Sequence, residues 1–126
     1  MKTVLTALAG LKSGVAPVVY IAGPMSHLPE NNYPAFNRAA ELLRGVGLEV
    51  LNPAENEPLV EDPTWSDWMR MSLVQVAKAD IIATLPNWGQ SRGARLEVHV
   101  ARELGIPEWK LDASDLGLDV KASVKR

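Results

Sequence analysis

The chain has 126 residues, 47% of them hydrophobic and 22% charged, with a formal net charge of -2; this size and composition fit one soluble globular domain and leave no room for a second core. The balance lacks the broad basic footprint of a protein that binds polymeric nucleic acid, although single nucleotides stay open. Cysteine is absent, which excludes disulfides, thiolate metal sites and a cysteine nucleophile and suits a cytoplasmic setting.

The opening "MKTVLTALAGLKSGVAP" carries a lysine and a short apolar run but no clear cleavage site. It reads as an N-terminal helix or arm over residues 1–16 rather than a targeting segment. No stretch approaches the roughly 18 apolar residues of a membrane span. "PVVYIAG" (17–23) is a continuous β-branched and aromatic run ending on glycine, the pattern of a strand buried on both faces. After the loop "GPMSHLPENN", the segment "YPAFNRAAELLRG" sets Phe36, Ala39, Ala40 and Leu43 on one helical stripe, with Pro34 at its start and Gly45 or Gly47 at its end.

"LEVLNP" is a second, short strand, and "AENEPLVEDP" a long polar connection that could lid the site. Thr64 and Asp67 form a capping box for a helix through "WSDWMRMSLVQVAKA", which is expected to turn Trp65, Met69, Leu73, Val76 and Ala77 inward. "DIIATLP" is a third buried strand. The loop "NWGQS" leads into "SRGARLEVHVARELG", a helix with Ser91 as N-cap, Gly105 at its end and Leu96, Val100 and Leu104 on one face. "IPEWKL" supplies a fourth strand, and the tail over 120–126 is expected to fray.

Strands alternating with helices at these lengths imply right-handed βαβ units. The fold class is therefore α/β, a single three-layer flavodoxin-like or Rossmann-like domain over residues 1–126, with a mostly parallel sheet of four or five strands in the order 2-1-3-4. Ligands bind such sheets beyond the strands' carboxyl ends, where the strand order reverses. That point falls between the first and third strands, where the loops "GPMSH" and "NWGQS" meet.

Glu97 is the sharpest candidate there. It shares a helical face with Gly93 and Val100, and a carboxylate on a core-facing stripe is costly unless it is paired or used. The competing reading is a salt bridge to Arg92, Arg95 or Arg102. Ser91, Arg92 and Gly93 bring a hydroxyl and backbone N–H groups to a helix N-terminus, a setting for a phosphate or for simple capping. Gly23 and Ser26 could extend the same site. Trp88, at a loop tip, either stacks on a base or packs its loop. His27 and His99 lack companions at metal-ligand spacing, so no metal is expected.

"YIAGPM", then "AD" opening the third strand, then "LPNW-x-x-S-x-GA-x-x-E" entering a helix together resemble the nucleoside 2-deoxyribosyltransferase-like superfamily over about residues 18–111, most specifically over 85–97. The resemblance implies cleavage of an N-glycosidic bond of a deoxynucleoside or its 5′-monophosphate, by hydrolysis or transfer. It implies Glu97 as the nucleophile, with Tyr20, Gly23, Pro24, Met25, Ser26, Trp88, Ser91, Arg92 and Gly93 around the substrate, no cofactor, and a homodimer or higher homo-oligomer that shares its site across subunits.

Ser91 stands where the phosphate-specific branch has a serine and the transferases an aspartate, which tilts the expectation towards a phosphorylated substrate. One position departs from the superfamily: eight residues before Asp80, where it has an acid, this chain has Ser72. A hydroxyl is a poor general acid near neutral pH, so the leaving base would draw on Asp67, His27 or water. The alternative is a module that binds a nucleotide or nucleotide sugar without cleaving it.

Overall fold

A computed structural model of the chain describes residues 15–117. Most of the expected N-terminal arm and all of the expected frayed tail lie outside the described residues.

Four strands make one all-parallel sheet: β1 (Val18–Ala22), β2 (Glu49–Leu51), β3 (Ile81–Thr84) and β4 (Glu108–Lys110), in the order β2-β1-β3-β4. This is the expected order, with the reversal between β1 and β3. Both inner strands are buried almost throughout, the reason they read as unbroken apolar runs rather than alternating ones. Asp80 fixes their register at the start: its backbone N–H donates to Val18 O, and its carboxylate accepts from Val18 N–H, both at 2.8 Å.

Three helices cover the sheet: α1 (Tyr33–Gly45), α2 (Trp65–Lys78) and α3 (Arg92–Glu103). α1 lays the expected Phe36, Ala39, Ala40 and Leu43, with Ala35, against Val19, Ile21, Ala83 and Leu85 on one face of the sheet. α2 and α3 cover the other face, where Val76, Val98 and Ala101 meet Tyr20, Ala22 and Ile82. The chain is therefore a three-layer α/β sandwich.

The helices carry the punctuation their sequences imply. α2 has the complete capping box, with Thr64 Oγ1 accepting from Asp67 N–H and the Asp67 carboxylate accepting from Thr64 N–H. Ser91 caps α3 by accepting from Ala94 N–H at 3.1 Å. Gly105 follows α3 with a φ of +74°, the left-handed turn that glycine makes at least cost.

Two helix faces differ from expectation. α3 buries Ala94, Glu97, Val98 and Ala101; of the expected face, Val100 packs half-buried against the core, Leu96 is half-buried and Leu104 is 57% exposed. Small side chains let α3 lie close to the sheet, and the bulky aliphatic residues fall to its flanks. α2 buries Met69, Ser72 and Val76, while Ala77 is exposed and Trp65, in the first turn, is 38% exposed because it faces the cleft rather than the core.

Candidate active site

In a parallel α/β layer each helix begins where its preceding strand ends, so the carboxyl ends of β1 and β3 and the first turns of α2 and α3 meet at one edge. A cleft of about 720 Å³ opens there. Its floor comes from the loop after β1, with Gly23, Pro24, Met25 and Ser26. Gly23 cannot carry a side chain, because a Cβ at that position would lie 2.7 Å from Leu85 Cδ1. The close approach of this loop to the end of β3 therefore depends on glycine.

Across the cleft, α3 contributes Ser91, Arg92, Gly93, Ala94 and Glu97, and α2 contributes Trp65, Trp68, Met69 and Ser72. Gly93 keeps the two helices together: a Cβ there would meet Met69 Sδ at 3.1 Å. It thus abuts α2 rather than the sheet. The Arg92 guanidinium lies over the Trp65 indole at 3.7 Å from the ring centre, which sets a fixed positive charge on an aromatic wall.

Glu97 is the buried carboxyl of the cleft. It is 5% exposed, and among the described residues no arginine pairs with it: its carboxylate accepts the Tyr20 O–H at 2.6 Å across α3 and β1, and the Ser72 hydroxyl lies close enough to favour its charged form. Burial pushes the Glu97 carboxyl up to about 7, while Tyr20 and Ser72 pull in the opposite direction. Burial and the neighbouring Glu97 charge hold the Tyr20 phenol well above its ordinary range, so Tyr20 stays a donor. A buried carboxyl poised near neutrality beside a cleft can act there as acid, base or nucleophile.

The structure therefore brings Gly23, Pro24, Met25, Ser26, Ser72, Ser91, Arg92, Gly93 and Glu97 to one cleft, with Tyr20 immediately behind Glu97. Two expected site residues stand elsewhere. Asp67 is occupied with capping α2 through Thr64 and does not line the cleft. Trp88 packs against the core on the α2–α3 side, with the Arg102 guanidinium 5.6 Å from its ring centre, and is not on the cleft wall.

Trp65, expected to turn inward, lines the cleft, as do Trp68, Tyr33, Asn31 and Gln90, which no motif singled out. The available signal was position: a residue in the first turn of a helix that follows a parallel strand lies at the ligand end of the sheet. Among the described residues, no cluster of three or more His, Asp or Glu side chains is placed to hold a metal ion, and no helix is long and apolar enough to cross a membrane.

The fold is the one seen in 2-deoxyribosyltransferases of known structure. A 2-deoxyribosyltransferase from the psychrotolerant bacterium Bacillus psychrosaccharolyticus superposes with a TM-score of 0.63 at 24% identity, over 76% of this chain and 72% of that one. The 2-deoxyribosyltransferase of Leishmania mexicana gives 0.58 at 21% identity, over 77% and 65%. Within that fold the chain belongs to the DUF4406 family, a domain of unknown function, whose model matches residues 17–108. No curated protein sequence matches the chain.

Proposed function

We propose that the protein cleaves the N-glycosidic bond of a deoxynucleoside or its 5′-monophosphate, with Glu97 as nucleophile. The observation that carries this reading is the buried Glu97 carboxyl, held by Tyr20 and paired with no cation among the described residues, on the wall of an aromatic-lined cleft. The fold shared with 2-deoxyribosyltransferases supports the same chemistry.

In this scheme a Glu97 oxygen bonds to the anomeric carbon as the carbon–nitrogen bond breaks, and the bonding pair leaves with the base. Water, or His27 on the cleft wall, supplies the proton to the departing nitrogen, since Ser72 is a poor acid and Asp67 is engaged elsewhere. Attack by water on the glycosyl ester restores the carboxylate and gives the free sugar, whereas attack by a second base completes a transfer. A 5′-phosphate would seat against Ser91 and the first-turn N–H groups of α3, beside Arg92. The nucleophile must be ionised, so turnover should rise with pH through about 7, where Glu97 loses its proton. The reading also includes a homodimer or higher homo-oligomer in a cytoplasmic setting.

The test is chromatographic analysis of base release from a panel of deoxynucleosides and their 5′-monophosphates, with the parent protein and Glu97→Ala. Release by the parent alone is the expected result. Equal release by both proteins would remove Glu97 from the chemistry. Silence across the panel would leave a nucleotide-binding module without turnover.

A further inference from the structure

Between β1 and α1 the backbone does something costly. His27, Glu30, Asn31 and Asn32 all have positive φ, between 54° and 67°, and none is a glycine, the residue that adopts this region freely. The surroundings enforce the geometry. The Gly23–Leu85 contact pins the start of the loop, the Asn32 side-chain N–H holds Pro24 O at 2.9 Å, and Phe36 anchors the far end in the core.

The bond to Pro24 explains the side chain of Asn32. His27 and Asn31 line the cleft, and among the described residues neither side chain has a hydrogen-bond or ion-pair partner. Glycine would satisfy the backbone at position 31 without strain, yet a side chain with one donor end and one acceptor end stands there, exposed on a cleft whose lining also includes Tyr33, Trp65 and Trp68. Aromatic side chains accept the faces of a flat heterocycle, and an unpartnered carboxamide on such a cleft matches a ring edge that alternates donors and acceptors.

We infer that Asn31 is the base-reading residue of the cleft: its carboxamide, with His27 beside it, hydrogen-bonds the edge of a nucleobase held against the aromatic lining and so determines which base is accepted. This rests on the nucleotide reading of the cleft proposed above and adds the discriminating residue to it.

The experiment is calorimetric titration of the 5′-monophosphates of deoxyadenosine, deoxyguanosine, deoxycytidine and thymidine into the full chain carrying Glu97→Gln to block turnover. The same titrations are run with Asn31→Asp or Asn31→Gly added. Aspartate tolerates the same backbone but only accepts hydrogen bonds, so it should favour the paired N–H donors of guanine. The ratio of guanine to adenine affinity should rise about tenfold. Asn31→Gly should flatten the ranking of the four bases while the melting temperature stays level or rises, because glycine relieves the backbone. An unchanged ranking in both variants would overturn the role of Asn31 and leave the nucleotide reading standing. No binding of any monophosphate, or of the four parent deoxynucleosides titrated in the same way, to any of the three chains would overturn both.

Discussion

The two faces of the sheet are built from the same strands yet do different work. Towards α1, the buried side chains from β1 and β3, among them Val19, Ile21 and Ala83, are apolar, and with Leu85 just beyond β3 they close against Phe36 and Leu43. Towards α2 and α3, the alternate residues of the same strands include Tyr20 and Thr84, and the helices add Ser72 and Glu97. One face is a seal. The other gives up apolar burial so that a carboxyl, a phenol and a hydroxyl can sit together where the helices begin. A parallel strand buried on both sides can carry both tasks because its period of two sends neighbouring residues to opposite layers.

The largest effect should come from breaking the sealed face. Phe36→Ala should cost about 3–5 kcal/mol in chemical denaturation, the range for removing a buried aromatic side chain. A much smaller loss would mean that this layer is not the stabilising one. The polar face should instead show itself through pH. The Glu97 carboxyl keeps its proton to about 7 in the folded chain but releases it near the ordinary value of 4.5 when unfolded. The stability it contributes is therefore complete below about pH 4.5 and lost as the pH rises through about 7, a fall of about 3 kcal/mol. Glu55, Asp67 and Asp112, held below the carboxylate range by Arg44, Thr64 and Ser114 respectively, stay ionised across that window. Urea unfolding from pH 4.5 to 8 should thus slope downward in the parent and lie flat in Glu97→Gln.

Two smaller changes sharpen the contrast. Gly23→Ala pushes a methyl against Leu85 on the sealed side and should cost about 1–3 kcal/mol by overpacking, read as a lowered denaturation midpoint. Thr84 Oγ1 is a buried hydroxyl without a hydrogen-bond partner among the described residues, so Thr84→Val should stabilise the protein by about 1 kcal/mol. A loss there would show that the hydroxyl is satisfied in solution.

The same contrast explains what could be read from residues alone. α1 and the inner strands were legible because large apolar side chains mark their buried sides, and Ser91, Thr64 and Asp67 announced their helix starts by residue type. α3 was misjudged because its buried stripe is alanine, valine and one glutamate, so periodicity of bulk pointed at Leu96, Val100 and Leu104 instead. Glu97 stood out as a charged residue near a core face, but the partner that orients it, Tyr20, lies 77 positions away in sequence, and no local pattern encodes that bond. The positive φ values after β1 were hidden for a related reason: they follow from anchors at Gly23, Asn32 and Phe36 acting together, not from a glycine at the turn.

The connection between β2 and α2 has one more consequence. Asn56 and Gln75 exchange two amide hydrogen bonds at 2.9 Å each, and the Thr64–Asp67 box closes the other end, while Leu59 between them is fully exposed. The cleft residues Asn56 and Trp65 are thus held by their own anchors, independently of the stretch that joins them. Doubling the length of that stretch would cost only about 0.6 kcal/mol in closure entropy. It is a natural insertion point, at which a tag, an epitope or a whole guest domain could be grafted beside the cleft without moving its walls.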